Sequence, residues 1–255
     1  MYIELIPNHL LTPYVEAYWI IDDANETKSF QKVLPDGCVD IIVSLGDSSM
    51  DNGFKPNTPY VFGTHTTFSN APNIGNIKMF GIRFKPAVFK LFTKIPTNEF
   101  TNQKIDIFSF KSIFDLSFYS EVEKGIENNL PMNFIISRVE QFLIDKLSVL
   151  PSLDKRIHYA VSLIQAYSGN LTIDKLAAES CLSERQLERR FKAEVGIGPK
   201  MFSRIIKFRK THNCLSSGAW LNLHELAWNC GYFDNAHLTK EYLKFSGTLP
   251  SEFSL

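Results

Sequence analysis

The chain is poor in cysteine and carries no net charge: four cysteines in 255 residues, and 27 basic side chains against 27 acidic ones. Cys38, Cys181, Cys214 and Cys230 are scattered, with no C-x-x-C pair and no His/Cys ligand spacing. That excludes a disulfide-stapled scaffold and a zinc knuckle, and leaves free thiols in a reducing compartment. No apolar run approaches the ~18 residues a membrane span needs. The opening Met1-Tyr-Ile-Glu-Leu-Ile-Pro7 has neither the basic patch nor the apolar core of a secretory signal, so a cytoplasmic location with no membrane contact is expected. The phosphate-cradling loop, the G-x-G-x-x-G fingerprint and the G-x-S-x-G elbow are missing as well. What remains, 44% hydrophobic and 21% charged residues, excludes intrinsic disorder and fits a globular chain of two domains.

Zero net charge hides an asymmetry. Residues 1–151 hold 13 basic and 17 acidic side chains, and residues 152–255 hold 14 and 10. A basic second half on a neutral chain points to a polyanion there. The chain divides near Pro151, giving an expected first domain over 1–150 and a second over 151–255.

The first hundred residues read mostly as strands. Val15, Ala17, Trp19 and Ile21 alternate with Glu16, Tyr18 and Ile20, a period of two. Cys38 to Leu45 and Lys78 to Phe84 are rich in β-branched and aromatic residues, bounded by turn clusters at Pro35-Asp36-Gly37, Gly46-Asp47-Ser48 and Asp51-Asn52-Gly53. From Pro86 the period changes: Val88, Phe89 and Phe92 suit a short helix, and Phe134 to Leu147 a longer one. The expectation is an α+β domain, strand-rich and barrel-like, followed by helices. After Pro151 the strand signal vanishes, and Ile157, Ala160, Val161, Ile164 and Tyr167 make one helical stripe.

Enzyme chemistry finds little support. Asp36, Asp40 and His65 come nearest to a metal set but share no ligand spacing, so loop acids and a core histidine describe them better. Cys38 lacks the surrounding positive charge of a reactive thiol and reads as a buried strand cysteine. Asp22 and Asp23 fall on opposite faces of a strand and cannot act as an acid–base pair. No catalytic residue, cofactor or metal is expected.

The second half repeats itself. Leu171-Thr-Ile-Asp-Lys-Leu176-Ala177 lies over Leu221-Asn-Leu-His-Glu-Leu226-Ala227 at an offset of 50. One extra residue then enters near Tyr232-Phe233. Beyond it Leu187 matches Leu238, Phe191 matches Tyr242, Gly196 matches Gly247, Pro199 matches Pro250 and Phe202 matches Phe253, all at 51. Each copy spells a helix-turn-helix, about 171–195 and 221–246. In the first, Thr172 can cap a helix to about Glu179, Cys181-Leu182 turns the chain, and Ser183 and Gln186 form a capping box for a helix ending at Gly196. Leu187 and Phe191 anchor that helix, which leaves Arg185, Gln186, Glu188, Arg189 and Lys192 outward. In the second, Asn222 to Glu225 is a further capping box. Asp234 opens a helix held by Leu238 and Tyr242, with Asn235, Ala236, His237, Thr239, Lys240 and Lys244 outward.

The exposed chemistry on both second helices suits base reading: Arg to guanine, Asn to adenine, Glu to cytosine, Lys and Thr to phosphates. Pro199 to about Leu215 is a helix of roughly 25 Å, a rod able to hold two such helices about one DNA turn, ~34 Å, apart.

These residues resemble a known family. Leu176-Ala177, Ser183-x-Arg185-x-Leu187-x-Arg189-x-Phe191-Lys192, Gly196-x-x-Pro199 and Arg209 look like the first half of an AraC/XylS-type DNA-binding domain. Leu226-Ala227, Gly231-Tyr232, Leu238, Tyr242 and Gly247-x-x-Pro250-x-x-Phe253 look like its second half. The resemblance covers roughly residues 155–255 and implies a bacterial transcription regulator, all-α in this part, with a linker helix between its units. By residue match it assigns base contacts to Arg185, Glu188, Arg189, Asn235, His237 and Lys240. Phosphate contacts are expected at Thr172, Ser183, Gln186, Lys192, Lys207, Thr239 and Lys244. Lys240, Tyr242 and Asp234 depart from the family pattern, so the second unit is expected to grip the backbone more than it reads bases. Pro35 to Ile42 and Gly81 to Pro86 look more faintly like the sensor region of some of these regulators, with 1–105 as ligand-binding part and 108–148 as a dimerising helix pair. The partners so implied are double-stranded DNA and a small-molecule effector of unassigned identity, with RNA polymerase and a second copy of the chain as further options.

Two positions carry rival readings. Arg83 either presents its guanidinium to an anionic effector, with Trp19, Phe62 and Phe80 lining the pocket, or pairs with Asp40 as part of the structure. Lys200, Arg204, Lys207 and Lys210 on the linker helix are either a solvated stripe or phosphate contacts. His212 and His224 are expected at the surface, and Trp220 and Trp228 in the core of the second unit. The alternative for the whole chain is an effector-binding or interaction module whose helices no longer read DNA.

Overall fold

The structure, a computed structural model, describes residues 2–44, 58–110, 112–114, 116–127, 130–218, 220 and 222–253. The expected turns at Gly46-Asp47-Ser48 and Asp51-Asn52-Gly53, Leu221 of the repeat, and the side chains of Asp23 and Phe253 lie outside what is described.

Strands β1 (Tyr2–Leu5), β2 (Val15–Val33), β3 (Val39–Ser44), β4 (Pro59–Phe62), β5 (Ser69–Phe84) and β6 (Lys104–Asp106) form one sheet in the order β1-β2-β5-β3-β4-β6. Every pairing is antiparallel. Among the described residues β1 and β6 end the order, so the expected barrel-like closure is not seen. A register shift between Val15 and Ala17 changes which side chains of β2 face the core. An extra residue in one strand turns every later side chain to the other face. Val15, Tyr18 and Ile20 therefore join the main cluster, while Ala17 and Trp19 are buried on the opposite face and Ile21 is half-exposed. The mainly period-two pattern expected from Val15 to Ile21 breaks between Val15 and Ala17 for that reason.

Beyond β5 the chain forms α1 (Phe89–Thr93), α2 (Leu116–Glu127) and α3 (Met132–Lys146). Phenylalanine joins these helices to the sheet. Phe84 on β5 meets Phe92 at 5.1 Å between ring centroids and Phe114 at 5.9 Å, Phe114 meets Phe118 at 5.1 Å, and Phe118 meets Phe142 at 5.3 Å. Tilted and edge-on rings at such spacing add to the apolar area they bury.

The second half is helical throughout: α4 (Lys155–Ala166), α5 (Ile173–Glu179), α6 (Glu184–Val195), α7 (Pro199–Ser216), α8 (Leu223–Cys230) and α9 (Asn235–Ser246). Their apolar faces share a second core, separate from the first, in which Ile157, Ile164, Leu176, Leu187, Phe191, Phe202, Phe208, Leu226, Leu238 and Phe245 are all buried. The stripe on α4 stops at Ile164, because Tyr167 falls beyond the helix and is 51% exposed. Trp220 packs on this core as expected; Trp228, on the outward side of α8, is 80% exposed and does not.

Phe114 is 1% exposed and touches rings of the sheet, α1 and α2 at once. Phe114→Ala should destabilise the first half by about 3–5 kcal/mol in equilibrium urea unfolding, the cost of a large buried ring replaced by a cavity.

Candidate nucleic-acid interface

The two repeats share the backbone hydrogen bonds of their turns and helix starts. Leu182 donates its amide to Ala177 O at 3.0 Å, and Tyr232 donates to Ala227 O at 2.8 Å. Leu187 donates to Ser183 O and Leu238 to Asp234 O, at 2.8 and 3.1 Å. At the far ends Gly196 and Gly247 adopt left-handed φ of 98° and 69° and close α6 and α9 onto Lys192 O and Leu243 O. Only a residue without Cβ takes that conformation freely.

In the first unit Cys181 makes the turn at φ 53°, and the capping box is complete: Gln186 N donates to Ser183 Oγ at 3.3 Å and Ser183 N to Gln186 Oε1 at 3.1 Å. Thr172 stands at the N-cap of α5 as expected, but its side chain caps no amide and bonds Asp174 instead. Leu187 and Phe191 are fully buried, and Arg185, Gln186, Glu188, Arg189 and Lys192 are exposed. Arg185, Arg189 and Lys192 make no hydrogen bond or ion pair among the described residues. Arg190, between them, is turned inward: its Nε and Nη2 bind Asp154 Oδ2 at 2.9 and 2.5 Å. Glu188 leans toward Gly198, where an added Cβ would lie 2.3 Å from its Oε1.

In the second unit Asn222 accepts from Glu225 N at 2.9 Å, one half of the expected box, and Asp234 accepts from His237 N at 2.7 Å. Leu238 and Tyr242 are buried; Asn235, Ala236, His237, Lys240 and Lys244 are exposed and Thr239 is half-exposed. His237 Nδ1 accepts from Phe233 N at 3.4 Å.

The linker helix α7 departs from expectation. Arg204 grips Glu241 with two bonds, 2.6 and 2.7 Å, and lies over the Phe245 ring. Lys207 donates to Gly231 O at 2.8 Å and Lys210 to Asn229 O at 2.9 Å, closing the last carbonyls of α8. Burial lowers the Lys207 pKa. Three half-exposed cations of the stripe thus fasten α7 to the second unit, and Lys200 is exposed. His212, expected at the surface, is half-buried with Nδ1 2.8 Å from Tyr242 Oη; His224 is exposed.

Nothing in the sequence pointed to how the first half meets the second. Thr97, Thr64 and Thr101 donate their hydroxyls to the carbonyls of Glu194, Val195 and Gly196, at 2.9, 2.7 and 2.6 Å. These are the trailing carbonyls of α6, which no amide of the helix can reach. Lys90 pairs with Glu194 at 2.5 Å beside them. At the trailing end of α9, the Phe68 ring lies where a Cβ on Gly247 would stand, 2.4 Å away, and Gly37 of the Pro35-Asp36-Gly37 turn meets Phe202 of α7 in the same fashion. Both second helices are held from behind, while their leading ends and outward faces stay open.

Arg83 settles between its two readings. Its cross-strand partner is Asp40, and its Nε lies 3.4 Å from both Asp36 and Asp40, with Nη1 3.0 Å from Glu4. Trp19 Nε1 donates to Asp40 at 2.8 Å. The structure thus gives Arg83 the ion pair of the second reading, shared among Asp40, Asp36 and Glu4. Phe80 is fully buried in the sheet core and Cys38 is buried as expected, its thiol raised by desolvation. Asp36, Asp40 and His65 form no metal cluster among the described residues.

Residues 176–254 match the helix-turn-helix domain family, and residues 3–106 match a domain of unknown function (DUF6597). Residues 176–254 thus carry a helix-turn-helix domain, and the chain is similar to AraC-type transcription regulators. A curated relative, the HTH-type transcriptional regulator ArgR of Pseudomonas aeruginosa, is 25% identical over 134 residues, 52% of this chain; the chain spans 40% of that relative's length. Among solved structures, a probable AraC family transcriptional regulator from Rhodopseudomonas palustris is 27% identical, with 39% of this chain and 94% of that one covered and a TM-score of 0.36. The DNA-binding domain of AdpA, solved with a target DNA, is 19% identical over 38% of this chain and 88% of that one, at a TM-score of 0.36. ToxT from Vibrio cholerae is 8% identical over 92% and 96% of the two chains, with a TM-score of 0.47. Among the described residues no helix is long and apolar enough to cross a membrane.

Two measurements probe these contacts. Thr97→Val with Thr101→Val leaves two carbonyls of α6 without their donors, a cost of about 1–3 kcal/mol each. Calorimetry should show the double variant unfolding in two separated transitions where the wild type shows them joined. The Asp40 carboxyl is pushed from its ordinary 3.8 up to about 7, first by burial, against the pull of Arg83 and with Asp36 adding to the push. A folded value above the unfolded one means that the folded chain keeps a proton the unfolded chain has lost. Asp40's contribution to stability is therefore full below about pH 4 and lost as pH rises through 7. The stability of wild type relative to Asp40→Asn should fall across that window in urea titrations, and a flat difference would contradict it.

Proposed function

We propose that the chain is a sequence-specific DNA-binding transcription regulator in which residues 151–255 read DNA and residues 1–150 control them. The observation that carries this reading is the open outward face of α6, where Arg185, Arg189 and Lys192 stand exposed without a partner among the described residues while Arg190 is spent internally. Arginine at such positions binds guanine O6 and N7 with two parallel bonds, and lysine holds a phosphate. On α9, Asn235, His237 and Lys240 form the corresponding set. Ser183 and Gln186 keep hydroxyl and amide protons for phosphate oxygens beyond the capping box. Thr172, Thr239, Lys192 and Lys244 flank them. Lys207, bonded to Gly231, is left out of the phosphate set.

The grip on the trailing ends of both helices supports control of them by the first half, with a small-molecule effector as the controlling ligand. A ligand that binds one arrangement of the first half better than another shifts the helices it holds by its differential affinity.

Gel shifts with genomic fragments at two salt concentrations test the function. Phosphate-driven binding must weaken steeply with salt. Binding indifferent to ionic strength, or none, would favour the reading in which the helices no longer serve DNA. Arg189→Ala should cost about 1–3 kcal/mol and relax preference at one base position, as read by selection from a random DNA pool.

A further inference from the structure

The second repeat is one residue longer than the first, and the structure shows which residue is extra. Cys181 and Gly231 make the left-handed turns, and Ser183 and Asp234 cap the helices that follow. Between turn and cap the first unit has only Leu182, buried, whose amide bonds Ala177. The second has Tyr232, buried, whose amide bonds Ala227 in the same way, and then Phe233. Phe233 is the inserted residue, and it is 91% exposed.

Its position is fixed on both sides. Tyr232 is anchored by its buried ring and by Thr211, Asp234 by its cap on His237, and the amide of Phe233 itself donates to His237 Nδ1. A phenylalanine held out in water gains nothing for the fold, since burial is what makes that side chain favourable. It stands at the leading end of α9, the end a recognition helix turns toward the base edges. Ala236, on the first turn of α9, is also exposed, between the polar Asn235 and His237.

In the major groove a single base presents an apolar group, the 5-methyl of thymine, and phenylalanine and alanine are side chains that recognise it. We infer that Phe233 reads a thymine methyl in the half of the operator bound by the second unit. The inference rests on the DNA-reading function proposed above. It gives that unit a base-specific contact despite Lys240 and Asp234, where the chain departs from the family pattern.

The test uses the full chain and the site obtained by selection from a random pool. Each thymine is replaced singly by deoxyuridine, which removes only the methyl, and affinity is measured for wild type and for Phe233→Ser. At one thymine of the second element the wild type should lose about fourfold in affinity, the worth of one buried methyl. Phe233→Ser should bind thymine and uracil there equally, with unchanged urea unfolding and unchanged salt dependence. The inference is overturned if wild type binds every deoxyuridine site as it binds the parent, or if Phe233→Ser keeps the discrimination. Salt-dependent binding with no methyl effect would sink this inference alone, whereas absence of DNA binding would sink the proposed function with it. Loss of binding to a partner protein on Phe233→Ser, with methyl discrimination intact, would assign the ring to that partner and overturn the inference.

Discussion

Three threonine hydroxyls on three carbonyls at the end of α6 are what joins this molecule into one. A helix leaves its last carbonyls unpaired, and burying them without donors is costly. Thr97, Thr64 and Thr101 supply the donors from across the chain, and Lys90 adds a positive charge where the helix dipole is negative. Without the first half, α6 would have to find water for those groups. Without α6, the threonines would face solvent. Each half completes the other's hydrogen bonding, and the point of completion is a helix proposed to read bases.

The same arrangement separates the two ends of each second helix by role. The trailing ends at Gly196 and Gly247 are met by Thr64, Thr101 and Phe68, the leading ends by their own caps at Ser183 and Asp234. Between them, Arg204 on Glu241 and the lysines on the α8 carbonyls fix the linker helix to the second unit. That bonding links the linker helix and the second unit through packed and hydrogen-bonded groups, the kind of contiguous path along which coupling is carried.

Much of the second half was legible because its signals are local. Capping residues, left-handed glycines and apolar residues at helical spacing act within a turn or two of themselves, and two copies at one offset reinforced one another. Residues that act through distant partners were not legible. Lys207 and Lys210 read as a surface stripe because their acceptors are backbone carbonyls, which sequence does not distinguish. Trp228 read as core because large aromatic residues usually are. In the first half a single inserted residue in β2 reversed the inward set, and the threonine contacts come from loops with no pattern of their own. Arg83 was half legible: its pair with Asp40 follows from register across β3 and β5, but Glu4 and Asp36 join only through the fold.

The Arg204–Glu241 fork and the two lysine caps alter what the chain's electrostatics mean. A cation already committed to a carboxylate or a carbonyl displaces few counterions from an approaching polyanion, so formal charge overstates the field of the second half. Arg185, Arg189 and Lys192 on α6 remain uncommitted among the described residues, against Lys240 and Lys244 exposed on α9. In the DNA-reading function proposed above, the first unit is thereby the larger source of attraction for phosphate, and the second contributes chiefly through the contacts it makes once seated.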